Sequence, residues 1–145
     1  MSIIVTPELL RETLQANPFL AMDGLLDPAA PAFRACRARL EAVTAERVQA
    51  ILDCLVVTYP SAPITDRDRV LAHRLHRWLA ARHPDLGYVF EGPLTLAALL
   101  AGYELVHESS GWDSPGRDTF IGIPAELAER DPVLTLAHIP AGGAA

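Results

Sequence analysis

Twelve prolines are scattered through the 145 residues, from Pro7 to Pro140, and they parcel the chain into short segments. Each removes a backbone donor and pushes the residue before it away from helical geometry, so a long coiled coil is excluded and short elements must share a core. Half of the residues are apolar and 21% are charged, a composition that rules out intrinsic disorder. The longest continuous apolar run, Leu96 to Ala101, is far below the roughly 20 residues of a membrane span. The opening MSIIVTPELL lacks the basic region of a signal peptide, so the expectation is a cytoplasmic chain with no membrane contact. The length suits a single domain over 1–145, with a helical part over about 1–83, a mixed α/β part over about 84–140 and a short tail at 141–145.

Thr6-Pro7-Glu8 opens a first helix, with Thr6 as N-cap, Pro7 at its first position and Val5 and Leu10 placed as a hydrophobic staple; Asn17-Pro18 ends it. Phe19 to Leu26 is apolar except for Asp23 and Gly24, and reads as a short buried helix or an apolar loop. From Pro31 the spacing of Phe33, Cys36, Leu40 and Val43 is helical, with Arg37 and Glu41 on the outer side. Thr44 caps a helix whose inner face is Val48, Ile51, Leu52, Leu55 and Tyr59. Thr65 with Asp68 predicts a further helix from Asp66 to about His83, with Leu71, Leu75, Trp78 and Leu79 inward and Arg69, His73, His76, Ala80 and His83 outward. Tyr88-Val89-Phe90 reads as an edge strand or packed loop, Leu94 to Ala101 as a helix, and Gly102 as its left-handed cap. Residues 103–108 alternate as a strand does, although a continued helix competes; Ser109 to Asp118 reads as a loop and Phe120 to Ile123 as a returning strand. The fold class is therefore mainly α, a small helical bundle with a short C-terminal β-hairpin, with α+β as the second choice.

Charge divides the chain unevenly. Residues 1–30 carry −3, residues 31–83 carry +4 and residues 84–145 carry −7, for a net charge of −6. Such an acidic balance argues against a dedicated duplex-binding protein, whose affinity comes largely from neutralising phosphates. The basic block pairs either with the acidic third of its own chain or with an acidic partner. All 12 basic residues are Arg, as a GC-rich coding bias would produce.

No cofactor or metal is expected. Cys36 and Cys54 match neither a disulfide framework nor a zinc knuckle, and read as reduced packing residues. His73-x-x-His76 could share a metal ion, but Arg69, Arg74 and Arg77 would repel it and further ligands are lacking nearby. Glu104-x-x-His107 matches half of a di-iron ligand set whose other half is absent. In the polar loop, His107 as base with Asp113 or Asp118 as its orienting acid supplies parts of a catalytic site, without a framed nucleophile or an oxyanion hole.

A winged-helix domain also reads as three helices followed by a two-stranded ribbon with a long tip. Residues 94–101 would then be the recognition helix, yet among them only Thr95 offers a polar side chain to a base edge. The leading expectation is a non-catalytic interaction or adaptor subunit of a larger protein assembly, binding another protein or itself. Its partner-binding candidates are Phe19, Leu20 and Leu25 in the apolar segment, Arg69, His73, His76 and Arg77 on the basic helix, and Trp112 in the loop. A winged-helix-like nucleic-acid-associated regulator is the alternative, and a small enzyme or ligand-binding protein using the 107–118 region is the third reading.

Overall fold

The structure, a computed structural model, describes residues 3–109, 116–124 and 126. These residues form five α-helices and five short strands: α1 (Pro7–Ala16), β1 (Leu20–Ala21), β2 (Gly24–Leu26), α2 (Phe33–Glu41), α3 (Ala45–Thr58), β3 (Val70–Leu71), α4 (Ala72–Arg82), α5 (Glu91–Leu100), β4 (Leu105–Ser109) and β5 (Gly116–Ile121). The fold is mixed α and β. It agrees in outline with the expected mainly helical chain ending in a β-hairpin, here β4–β5, but it is not a clear bundle, because a sheet gathers strands from both halves of the chain around β5.

β4 runs antiparallel along one edge of β5, from Leu105 opposite Ile121 to Ser109 opposite Arg117. A strand has two edges, so β3, which pairs Val70 with Ile121, and β2, which pairs Leu25 with Arg117, share the other one. β1 completes the sheet beyond β2, with Leu20 opposite Leu25. From α3 onward the order is helix, strand, helix, helix and a two-stranded ribbon, with the first strand of that series paired to the last.

The capping chemistry that starts α1 and α3 is as the sequence dictates. Thr6 Oγ1 accepts from the Leu9 amide and Thr44 Oγ1 from the Arg47 amide, each at 3.1 Å. The core is built on α3, whose Val48, Ile51, Leu52, Leu55 and Tyr59 side are buried against α5 and the inner face of α4. At the end of α5, Gly102 adopts φ +84 while the Tyr103 amide donates to Ala98 and the Gly102 amide to Leu99, the two bonds of a Schellman motif. That turn releases the chain into β4, so the strand reading of 103–108 holds over the continued helix, with the strand itself at Leu105–Ser109. The Tyr103 hydroxyl donates to the Tyr59 carbonyl and ties the two helix ends together.

Four local expectations are corrected. Phe19 to Leu26 is neither helix nor loop but the β1–β2 hairpin, turning at Met22-Asp23. The helix expected from Asp66 begins at Ala72: Thr65 Oγ1 does accept from the Asp68 and Arg67 amides, but it closes a turn, and Val70-Leu71 then pair with β5. α5 starts at Glu91, three residues before the expected Leu94, because Gly92 and Pro93 occupy its first turn, where a missing N–H costs nothing. Arg37 does not face outward. Its guanidinium donates to the carbonyls of Leu14, Asn17 and Leu20 at 2.8, 2.8 and 2.9 Å, joining α2 to α1 and the hairpin.

Candidate interaction surface

α4 turns Ala72, Leu75, Trp78 and Leu79 into the core and leaves His73, Arg74 and Arg77 exposed. His76, expected on that outer face, is 5% exposed. After α4 the chain makes a 3-10 turn at Pro84–Leu86 and then runs extended into α5. Val89 is fully buried, so its neighbours Tyr88 and Phe90 point the other way, and Tyr88 stands 64% exposed. Arg47 fixes this loop by donating to the Tyr88 carbonyl at 2.9 Å.

These placements create a continuous row of rings and cations. Arg77 donates to His73 Nε2 at 2.8 Å, the acceptor role falling to the imidazole because a guanidinium has none. His73 and His76 have ring centroids 5.6 Å apart, His76 and Tyr88 5.8 Å, and Tyr88 and Phe90 4.6 Å, all tilted or edge-to-face. The row ends where Arg39 of α2 lies over the Phe90 ring, 5.2 Å from its centroid. Burial holds the His76 imidazole below its ordinary value, reinforced by His73 and Arg77 and opposed by its bond to the Val89 backbone. Beside the Arg39 end sits Glu91, its carboxyl lodged against the backbone of Gly24 in the hairpin. Desolvation, with Asp118 and Asp23 adding repulsion, pushes that carboxyl up to about 7.

Of the eight partner-binding candidates, His73, His76 and Arg77 come together in this row. Phe19 is half exposed at the far end of the hairpin, whereas Leu20 is buried in β1 and Leu25 packs against the core, so neither is a free anchor. Arg69 is engaged within the chain, over the Phe120 ring at 4.5 Å and paired with Glu108 at 3.3 Å. Trp112 lies outside the described residues, as does Asp113. His107 and Asp118 are not brought together. His107 Nδ1 lies 3.0 Å from Thr119 Oγ1 on one face of the ribbon, while Asp118, the next residue along, points to the other. Glu104 spends a carboxylate oxygen on the Ile64 amide at 2.7 Å, and among the described residues no three His, Cys, Asp or Glu side chains group as metal ligands. Cys36 and Cys54 are free and half-buried. Tyr88, Phe90 and Arg39 were missed in the sequence. The alternation of Tyr88, Val89 and Phe90 was the available signal for the two rings; nothing local marks Arg39.

The helix that a winged-helix reading assigns to base recognition, α5, is enclosed. Gly92 to Ala98 are all buried, Thr95 among them, and the Thr95 hydroxyl is turned back onto the Glu91 carbonyl at 2.9 Å. Its N-terminus is sealed by the β1–β2 turn, where the Gly92 amide donates to Met22 at 2.9 Å. Among the described residues, no helix is long and apolar enough to cross a membrane. No family model, no curated protein and no solved structure matches the chain.

Proposed function

We propose that the chain is a non-catalytic interaction subunit of a larger protein assembly, docking through Arg77, His73, Tyr88, Phe90 and Arg39, with the buried His76 ring supporting them from beneath. The observation that carries this reading is the exposed Tyr88 ring at the centre of a row bounded by cations, since aromatic and Arg side chains are the residue types that dominate binding energy at protein interfaces. Burial of α5 counts in the same direction, because it removes the element through which the chain would otherwise read DNA. The deciding experiment is purification from the native host under gentle conditions, followed by light scattering across a concentration series. A retained, stoichiometric protein partner or a defined self-assembly is expected; a strictly monomeric chain with nothing retained would refute the reading.

One observation favours a second reading, a nucleic-acid-associated regulator: the helix, strand, helix, helix, ribbon order of residues 45–121 is that of a winged-helix unit. Contact would have to run through phosphates and the exposed Arg67, Arg74 and Arg77 rather than base edges. Fluorescence anisotropy with duplex DNA at low salt tests it, with binding that falls steeply as salt rises as the supporting result.

A further inference from the structure

Resting on the interaction-subunit reading, we propose that the row from Arg77 to Arg39 is a docking site for an acidic segment of the partner protein, one that alternates carboxylates with an aromatic or aliphatic side chain. The two ends of the row lie on α2 and α4, which belong to the +4 block of the chain, and both are guanidinium groups; Tyr88 and Phe90 between them come from the loop that leads into α5. Arg34 and Arg74 are exposed on the same two helices and add to their positive charge. Guanidinium groups receive carboxylates in a forked geometry, and the edges of His73, Tyr88 and Phe90 between them offer apolar surface to a side chain placed between two acids.

Nucleic acid is the other polyanion that rings and arginines attract, and the geometry disfavours it. Base stacking needs open ring faces. Here the rings stand at 59–69° to one another, edges against faces, and Arg39 already covers one face of Phe90. Glu91 follows Phe90 directly, with Asp23 close enough to act on its ionisation. A peptide can set an apolar residue at that point; a nucleic acid strand cannot omit a phosphate there.

Three labelled probes and the full chain test this by fluorescence anisotropy: a short peptide of alternating Glu and Phe, its Lys-for-Glu counterpart, and a single-stranded oligonucleotide of similar length. The acidic peptide is expected to bind, to weaken with salt, and to lose about tenfold or more in affinity in the Arg39→Gln/Arg77→Gln variant, while the basic peptide does not bind. Both arginines are exposed, so an unchanged melting curve shows that the variant is folded. No binding of the acidic peptide, binding indifferent to the two substitutions, or equal binding of the basic peptide would overturn the proposal. Tighter binding of the oligonucleotide, lost in the same variant, would overturn it too and assign the row to nucleic acid. In the native host, a partner retained equally by wild type and variant sinks this site but leaves the interaction-subunit reading standing, whereas no partner for the wild type sinks both.

Discussion

The Glu91 carboxyl is raised well above the usual carboxylate range, because burial at the first turn of α5 outweighs the favourable end of the helix dipole and two further carboxylates, Asp118 and Asp23, oppose its charge. Its value in the folded chain, about 7, stands above the ordinary 4.5, so the native state holds this proton more tightly than the unfolded one. The stability that Glu91 contributes is therefore fully present below its ordinary value and is lost as pH rises through about 7. Glu91→Gln keeps the shape and removes the titration. Allowing for screening at a partly exposed group, the variant should gain on the order of 1–3 kcal/mol relative to wild type between mildly acidic and mildly basic pH. Urea unfolding of both proteins across that range checks it; parallel pH profiles would show that the carboxyl is not desolvated as described. Next door, a Cβ at Gly92 would collide with the Ala21 carbonyl oxygen and come within 2.9 Å of that of Met22. Gly92→Ala should cost roughly 1–3 kcal/mol, as overpacking against rigid backbone does, read as a lowered urea midpoint.

Among elements, those whose ends are written in side chains were legible and those defined by pairing were not. Thr6-Pro7 and Thr44 set α1 and α3 through local hydrogen bonds, and Gly102 sets the exit from α5 through its own backbone freedom; each signal needs only a few consecutive residues. β1, β2 and β3 are two or three residues long, too short for any periodicity; β2 and β3 exist because distant β5 supplies their partner, and β1 pairs with β2. Thr65 shows the limit of reading caps alone: the same amide-to-hydroxyl bonds that begin a helix here close a turn, since β5 takes up Val70 and Leu71. The row of rings was half legible for a similar reason, with His73, His76 and Arg77 on one helix and Arg39 brought in from another. Two substitutions test the element packing. Leu75 is fully buried on α4, and Leu75→Ala should cost roughly 2–5 kcal/mol. Arg37→Met removes a charged donor from three backbone carbonyls, of which Leu14 and Asn17 keep a backbone amide partner, and should cost roughly 1–3 kcal/mol despite the apolar replacement, because the carbonyls remain. Thermal or urea unfolding reads both, and a wild-type midpoint for Arg37→Met would mean that solvent satisfies those carbonyls unaided.

Across the whole molecule, the N-terminal layer of α1, the β1–β2 hairpin and α2 is built onto the helix–strand–helix–helix–ribbon unit rather than linked to it loosely. β2 adds to the edge of β5, Gly92 bonds to the hairpin turn, and Leu10 and Leu14 join the same core as Leu94 and Leu96. The sequence of α5 is consistent with that cover. Its Leu94-Thr95-Leu96-Ala97-Ala98 run has no polar face to give to water, and a helix that is apolar all round must be enclosed. A chain beginning after the hairpin, at residue 27, would bare the α5 N-terminus together with the Gly116–Arg117 end of the β5 edge that β2 covers. Such a truncated chain is expected to lose its cooperative melt and to bind a hydrophobic dye or aggregate, while retaining much of its helical circular dichroism. Wild type should show a single transition by far-ultraviolet circular dichroism and by Trp fluorescence, reported from the core by Trp78 on α4. A truncated chain that stays monomeric and melts cooperatively would mean that the layer is a removable cover, and α5 would then have to be reconsidered as a surface that opens.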